Sequence, residues 1–512
     1  MRSELKVRRA VRLAPRGGSK TGSADVCFFP ESSAQAAEAF ARARDLTPGR
    51  TPSVTLAGAE RSFESHFLPP SKAMPSVVVS SKRLRGGITL LGEAPTASGE
   101  RALRVRALGG TSFAELLRAV HATGAQFMPF SCPTADAISL GGALAVNTHS
   151  RSSCTYGGLF AEHVRRFVLV GPDGKQYDCA PGAESDLERE LFRFVPGSLG
   201  ALGLVTEMEL ELCAVSPSAE VIVEVLETHE GEPSAAVKGY LERVRDNQRD
   251  GFRRWLEGLN LVFFGTPGRG SSVVIGRRRG GPSEVKRATL PLFRESSELN
   301  LFVQAFSHRF PGVAQELARR TLRPGRSFRA PYYRWAFFQS SYDECAARLE
   351  RGRPLLWEAL GLDPDLGVVH QGWVVSSTGL PRFIHLAAQL FALPEYEPLA
   401  SALEFFDVLP LPPARRPLDA NRAVGDAHVC TLSFAVRHAA TRELAAAFCR
   451  ELSERAFRLN LHLVVQLNKQ HHVAPALLRR MHRFGIDGLT GIKSRVDPED
   501  VLGSRTLERL GL

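Results

Sequence analysis

The chain has 512 residues, 44% hydrophobic and 23% charged, the balance of a globular protein too long for one ordinary core. Its net charge of +11 is carried mainly by arginine, but the clusters at 277–279, 319–320 and 323–329 hold a single aromatic, Phe328, and no nucleic-acid fold signature, which argues against nucleic acid as a partner. No run approaches the roughly 18 apolar residues of a membrane helix, the Arg-rich start lacks the apolar segment of a secretory signal, and the eight scattered cysteines form no Cys-x-x-Cys pair, so no metal is expected.

These exclusions give a cytoplasmic protein with reduced, mostly buried thiols. A solvated face accounts for the arginine clusters. A phosphorylated or acidic substrate, or peripheral contact with an anionic membrane, is the alternative. Oligomeric state is open.

Residues 1–24 are basic and Gly/Ser-rich and read as a flexible lead. Ala24–Pro30 reads as a strand, and apolar spacing over Ser32–Leu46 predicts a helix with Ser33 as its N-cap. Ser53–Leu56, Ser76–Ser80 and Ala102–Ala107 read as strands, the last two separated by a polar Gly/Pro segment. Ser112–His121 is an amphipathic helix with Phe113, Leu116, Leu117 and Val120 on one face. Phe167–Val170, Gly-Pro-Asp-Gly at 171–174 and Lys175–Cys179 form a strand, turn and returning strand. A short helix at Leu187–Phe192 precedes glycines 197, 200 and 203 and the strand Leu204–Leu212.

Beyond about residue 215 strands (Val221–Val225, Val273–Ile275, His428–Ala435) alternate with helices (Ala235–Val244, Val313–Arg319, Cys345–Arg353, Arg442–Arg455). The stretches 278–283 and 409–417 read as loops. This is an α+β pattern with an antiparallel sheet. The end of the chain has a strand-like run, Leu459–Gln466, the polar cluster Asn468-Lys469-Gln470-His471-His472, and a helix at Ala474–Arg483.

The most telling stretch is 139–157. Its Gly141-Gly142 pair lets backbone approach a ligand with no Cβ in the way. Small residues and hydroxyls follow, with His149 among them. No Gly-Lys-Ser/Thr follows, so it is not a Walker loop, and it lacks the Gly-x-Gly-x-x-Gly of the dinucleotide fold.

Taken together, four ordered segments resemble the vanillyl-alcohol-oxidase, or p-cresol-methylhydroxylase (PCMH), type of FAD-binding oxidoreductase. They are Phe29-Pro30 with its helix and Ala57-Gly58-Ala59-Glu60-Arg61-Ser62; Pro133 to Gly158; Val164–Gly174; and Phe194–Glu207. A fifth, Lys493…Asp497-Pro498…Val501-Leu502, is similar to the tail that closes many members. The resemblance implies a two-subdomain FAD domain over 25–215, an α+β substrate or cap domain over 216–455, and a C-terminal return over 456–512 that contributes to the active site.

The resemblance also implies site residues. FAD would be held by Gly58, Ala59, Glu60, Arg61 and Ser62. From the second loop would come Pro133, Ser139, Leu140, Gly141, Gly142, Asn147, His149, Ser150, Ser153, Tyr156 and Gly157. Gly200, Gly203 and Val205 would serve the adenine side. Many members attach FAD through a His directly before the Ser, where this chain has Arg61. His66 lies past Ser62, Cys132 is far from the glycine pair and Cys154 follows it, so FAD is expected to be non-covalent.

The implied reaction is hydride transfer from a hydroxyl-bearing substrate, such as a sugar, lactone or lipid-linked sugar, to flavin N5. The electron acceptor is undetermined. Catalytic candidates are Asn468, Lys469 for electrostatics or substrate binding, and His471 or His472 as general base. Lys493 and the aromatic-basic run Arg329, Tyr332, Tyr333 and Trp335 are further candidates. Two rivals are a redox-neutral FAD transferase resembling alkyl-glycerone-phosphate synthases, which carry a triple-His run where this chain has two, and a catalytically silent flavin-binding scaffold.

Overall fold

The computed structural model describes the chain except residues 1–3, 14–20, 63, 72–74, 96–98, 100, 132, 134, 155–157, 216–218, 281–312, 314–315, 318–319, 333–335, 338–366, 413–425 and 437. Strand β1 (Lys6–Leu13) pairs antiparallel with β2 (Gly22–Phe29), so the basic lead is not loose over this stretch. Its arginines point outward from an edge strand while Leu5 and Leu13 are buried. Helix α1 (Ser33–Asp45) is capped by Ser32, which accepts from the Gln35 amide, and not by Ser33, which is already its first residue. It carries the chain from β2 to β3 (Ser53–Ala57), and β2 and β3 each pair parallel with β4 (Ser76–Ser80). The sheet order is β1-β2-β4-β3. A central parallel strand is buried on both faces, which is why β4 is the unbroken apolar run Val77–Val79.

A second sheet joins β5 (Thr89–Pro95), β6 (Arg101–Leu108), β10 (Leu204–Cys213), β8 (Val164–Val170) and β9 (Gln176–Cys179), all antiparallel, with β7 (Met128–Pro129) also on β10. The polar segment that opens with β5 is thus a strand, exposed along most of its length. Its sheet's outer face is an ion-pair ladder that includes Arg106–Glu209 at 2.7 Å and Arg166–Glu207 at 3.1 Å. The inner face packs on α2 (Phe113–Ala122), whose capping box pairs Ser112 with Glu115, and on α3 (Leu140–Ala145). Helix α4 (Asp186–Phe194) covers β9.

The third sheet has eight antiparallel strands in the order β14-β11-β13-β12-β16-β17-β15-β18. They are β11 (Glu220–Glu230), β12 (Gly258–Phe264), β13 (Ser271–Gly280), β14 (Ser327–Pro331), β15 (Gly367–Ser376), β16 (Leu403–Leu411), β17 (Ala427–Val436) and β18 (Leu463–Val465). Arg278–Gly280 and Leu409–Leu411 therefore lie in strands, not loops; the rest of 278–283 and 413–417 falls outside the described residues. The helix expected at 345–353 also falls outside them, as does most of 313–319. Helices α5 (Pro233–Arg249), α6 (Leu380–Phe391) and α7 (Ala439–Arg458) cover one face, around Tyr240, Trp373, Phe383 and Phe448. On the other face Val374, Leu409 and Val429 pack against Leu159 from the second loop of the N-terminal half.

The C-terminal return is longer than its sequence pattern suggests. Helix α8 runs over Pro475–Val496 and α9 over Arg505–Leu510. Between them the chain bridges β3: Val54 N donates to Val501 O at 2.8 Å and Gly503 N to Val54 O at 3.0 Å. Val501 and Leu502 thereby complete the core of the first sheet. Strand and helix content with segregated antiparallel sheets makes the fold α+β.

Candidate functional site

A cleft of about 1440 Å³, open solvent included, runs between the first two sheets and ends at the third. Its first wall is the turn after β3, namely Gly58, Ala59, Glu60, Arg61 and Ser62. Glu60 sits at φ 58° and is fixed by Lys82 Nζ at 2.7 Å. The opposite wall is the 133–149 stretch, which contributes Pro133, Ser139, Gly141, Gly142 and His149. The two walls meet closely. A Cβ on Gly58 would lie 2.9 Å from Ser139 Oγ and 3.6 Å from Gly142 Cα. Gly141 N donates to Gly109 O at 2.7 Å, which anchors the glycine pair to the end of β6.

The far end is formed by Ser198, Leu199, Gly200, Gly203, Leu204 and Val205. Gly203 has φ 146° and a Cβ there would meet Val170 O at 2.6 Å, so only glycine fits. The near end is closed by Asn468 and Lys469, which follow β18.

Other expected residues take supporting positions. Leu140 points into the core. Asn147, at φ 45°, accepts the Ala161 amide at 3.0 Å through Oδ1. Ser153 Oγ accepts the Ser150 amide at 2.8 Å and lies 3.2 Å from Ser131 Oγ. Their side chains shape the loop from behind. Tyr156 and Gly157 lie outside the described residues, as do Cys132, Tyr333 and Trp335.

The histidine pair is displaced from the role expected of it. Neither His471 nor His472 lines the cleft. His471 is buried: its Nδ1 accepts from Arg509 Nη1 at 2.7 Å, and its amide donates to Glu64 Oε2 at 3.3 Å. Arg509 also donates to the Val473 carbonyl at 2.7 Å. The His472 amide donates to Gln371 Oε1 at 3.0 Å. The polar run thus splits: its first two residues face the cleft, His471 joins the tail's Arg509 to Glu64, and His472 is held by Gln371 of β15. Lys493 is a tail residue as well, buried against Asp497 at 2.7 Å. Tyr332 donates to the buried Glu257 at 3.3 Å, and the Arg329 guanidinium pairs with Glu220; neither lines the cleft.

Sequence reasoning passed over Ser81 and Ser198, and gave His66 no binding role, although all three line the cleft. Ser81 opens the turn after β4, and a hydroxyl directly after a buried parallel strand is the signal that marks it.

Electrostatics concentrate at the near end. Burial, and then the neighbouring Lys469 ammonium, lower His149 to about 3, so its imidazole is neutral. The Cys154 thiol is pushed up to about 12 by burial and by Asp426, so it does not form a thiolate. Among the described residues no group of three His, Cys, Asp or Glu is placed to hold a metal ion, and no helix is long and apolar enough to cross a membrane.

This geometry can be tested against a flavin dinucleotide. Ser139 Oγ, His149 Nδ1 and Asn468 Oδ1 are buried at the cleft, and no group among the described residues hydrogen-bonds them. Glycines at 58, 141, 142, 200 and 203 leave backbone bare along its length, as a pyrophosphate flanked by two ring systems requires. The residues fit the group. Two glycine-lined walls and a third sheet closing one end are the setting of a flavin dinucleotide site.

Residues 24–180 match the FAD-binding domain family. Alditol oxidase from Streptomyces sp. (strain IKD472 / FERM P-14339) is 42% identical over 117 residues, 23% of this chain. The chain spans about a quarter of that relative's length, 25%. Residues 24–180 are therefore an FAD-binding domain, and the cofactor is FAD.

Proposed function

We propose that the protein is an FAD-dependent oxidoreductase acting on the CH–OH group of a polyol or sugar-like substrate, with FAD held non-covalently. One observation carries the reading: the glycine-walled cleft ends at a cation, Lys469, beside a neutral imidazole, His149. Bound FAD would supply hydride acceptance at the flavin. The chain's own part is to hold and polarise. Gly58 to Ser62 and Gly141–Gly142 present backbone and hydroxyls to the cofactor, and Arg61 adds a charge-assisted donor to its phosphates. Lys469 is the group that stabilises negative charge as it develops at the near end. His149, neutral and with a buried Nδ1, orients a hydroxyl there, while Asn468 offers its amide from the same side. His471 is not the base in this reading, since its Nδ1 already accepts from Arg509.

The alditol oxidase likeness supports a polyol substrate. The decisive experiment is anaerobic mixing of the yellow protein with a panel of polyols, sugars and lactones while flavin absorbance is followed. Substrate should bleach the flavin, and Lys469→Met should slow bleaching by about 10²–10³-fold with FAD content retained. After acid precipitation the flavin should leave with the supernatant. An unbleached flavin across the panel, or a Lys469→Met protein that reduces at the wild-type rate, would defeat the proposal.

A further inference from the structure

Directly opposed residues of an antiparallel pair share a face, and so do residues two apart on one strand. Arg277 on β13 opposes Gly258 on β12, and Asn260 lies two residues on. Asp407 on β16 opposes Val262 and, on its other side, Thr431 of β17. A polar row therefore crosses the third sheet on one face.

This is the face turned toward the cofactor loop. A Cβ on Gly258 would lie 2.4 Å from the Arg151 carbonyl oxygen, so the loop rests directly on the register partner of Arg277. Arg151 is two residues beyond His149, which lines the cleft. Further along the same face, Leu159 packs on Leu409 and Val429.

Arg277 is an unusual occupant of that position. It is 6% exposed. Its Nη1 donates to Asn260 Oδ1, an uncharged amide oxygen. The nearby carboxylate, Asp407, accepts instead from Asn260 Nδ2 at 2.7 Å. Burial and the adjacent Arg151 lower the Arg277 guanidinium to about 9, with Asp407 opposing the shift. A desolvated guanidinium is costly unless an anion meets it. The charged groups facing one another here are Arg151, Arg277 and Asp407.

We infer that Arg277 is the oxyanion-recognition residue of the substrate site, and that the hydroxyl-bearing substrate carries a carboxylate or phosphate that this guanidinium binds. Asn260 and Asp407 hold the fork in position, and Arg151 adds positive potential from the loop side. The inference rests on the oxidoreductase reading for the word substrate; the anion site itself does not.

The test uses the FAD-loaded protein and two variants, Arg277→Gln and Arg277→Lys, each first checked for melting temperature and flavin content. Inorganic phosphate and acetate are titrated calorimetrically and against the flavin spectrum. One of them should bind the wild type, Arg277→Gln should weaken it by about tenfold or more, and Arg277→Lys should fall between. Anaerobic reduction is then compared for a six-carbon polyol, its aldonate and its phosphate monoester. Arg277→Gln should raise the half-saturating concentration of the anionic donor about tenfold more than that of the neutral polyol; which of the two anions is favoured separates carboxylate from phosphate. No binding of either probe to the wild type, equal affinity in Arg277→Gln, or an equal loss for neutral and anionic donors would overturn the inference. If no donor bleaches the flavin while the anion titration still depends on Arg277, the oxidoreductase reading fails and the anion site stands.

Discussion

At the scale of single residues the cofactor cradle depends on atoms that are missing. Gly58 faces Ser139 with room for a hydrogen and not for a methyl group, since a Cβ would stand 2.9 Å from Ser139 Oγ. Ser139 Oγ is itself buried and no group among the described residues hydrogen-bonds it, as a hydroxyl reserved for a ligand would be. The two facts give a paired prediction. Gly58→Ala should weaken FAD retention by about tenfold and lower the melting temperature, because the overpacked contact costs about 1–3 kcal/mol. Adding Ser139→Ala removes the clash, so the double variant should recover the melting temperature. It should still release FAD faster than wild type, because a donor to the cofactor has gone. Flavin fluorescence on dilution reads the second effect and calorimetry the first. Full recovery of both would mean that Ser139 has no role toward the cofactor.

At the scale of elements, the tail acts on the first cofactor loop from outside the cleft. The Asp497 carboxylate accepts the Val501 amide at 2.8 Å and the Leu502 amide at 2.9 Å while pairing with buried Lys493. That fixes the turn between α8 and α9, which places Val501–Gly503 on β3, the strand that delivers Gly58. Asp497→Asn leaves the buried Lys493 ammonium with Asp500 as its remaining carboxylate and weakens the two amide hydrogen bonds, at a cost of about 1–3 kcal/mol. The variant should melt lower and lose FAD on gel filtration, although the substituted residue touches nothing in the cleft; retention equal to wild type would show that β3 holds the loop without the tail. What the sequence disclosed follows the same divisions. The helix α1 and the strands around it could be read because their apolar spacing is regular and one face is buried. Strand β1 was hidden by its arginines, which an exposed edge strand tolerates. Strands β15 and β16 were hidden because both faces are covered, by helices on one side and the cofactor loop on the other, so alternation is lost. The glycines of the site were legible for a physical reason, since close approach demands them. The place of His471 outside the cleft was not legible, because a buried clamp and a catalytic base use the same residue types, and its partner Arg509 is 38 residues away.

Across the whole molecule, the second and third sheets do not have separate cores. One hydrophobic cluster runs from Ala102 to Leu510 through Phe167, Tyr240, Trp373 and Phe448. The cofactor cleft and the cap should therefore unfold together, and their stability should share one dependence on pH. Two buried histidines set part of it. His149 is lowered to about 3 by burial and then by Lys469, and His428 is lowered to about 3 by burial. His428 sits between Tyr240 Oη at 3.0 Å and Ser377 Oγ at 2.9 Å, with no acid beside it in that chain of hydrogen bonds. In the unfolded chain both rings take a proton near the ordinary value of 6.5, whereas the folded protein keeps them neutral. The unfolded state thus binds more protons between pH 6.5 and pH 3, so the stability these groups provide is present above 6.5 and is lost as pH falls through that window. Each ring costs about 1.4 kcal/mol per pH unit there. Urea midpoints of the FAD-loaded protein should fall as pH drops below the upper bound, with flavin release and loss of helix signal coinciding at every pH. Replacing His428 with Gln removes one titration and should flatten the acid limb while leaving the neutral plateau lower, because the Ser377 and Tyr240 hydroxyls are then less well matched. An acid limb unchanged in His428→Gln would mean that His428 is already protonated in the folded protein.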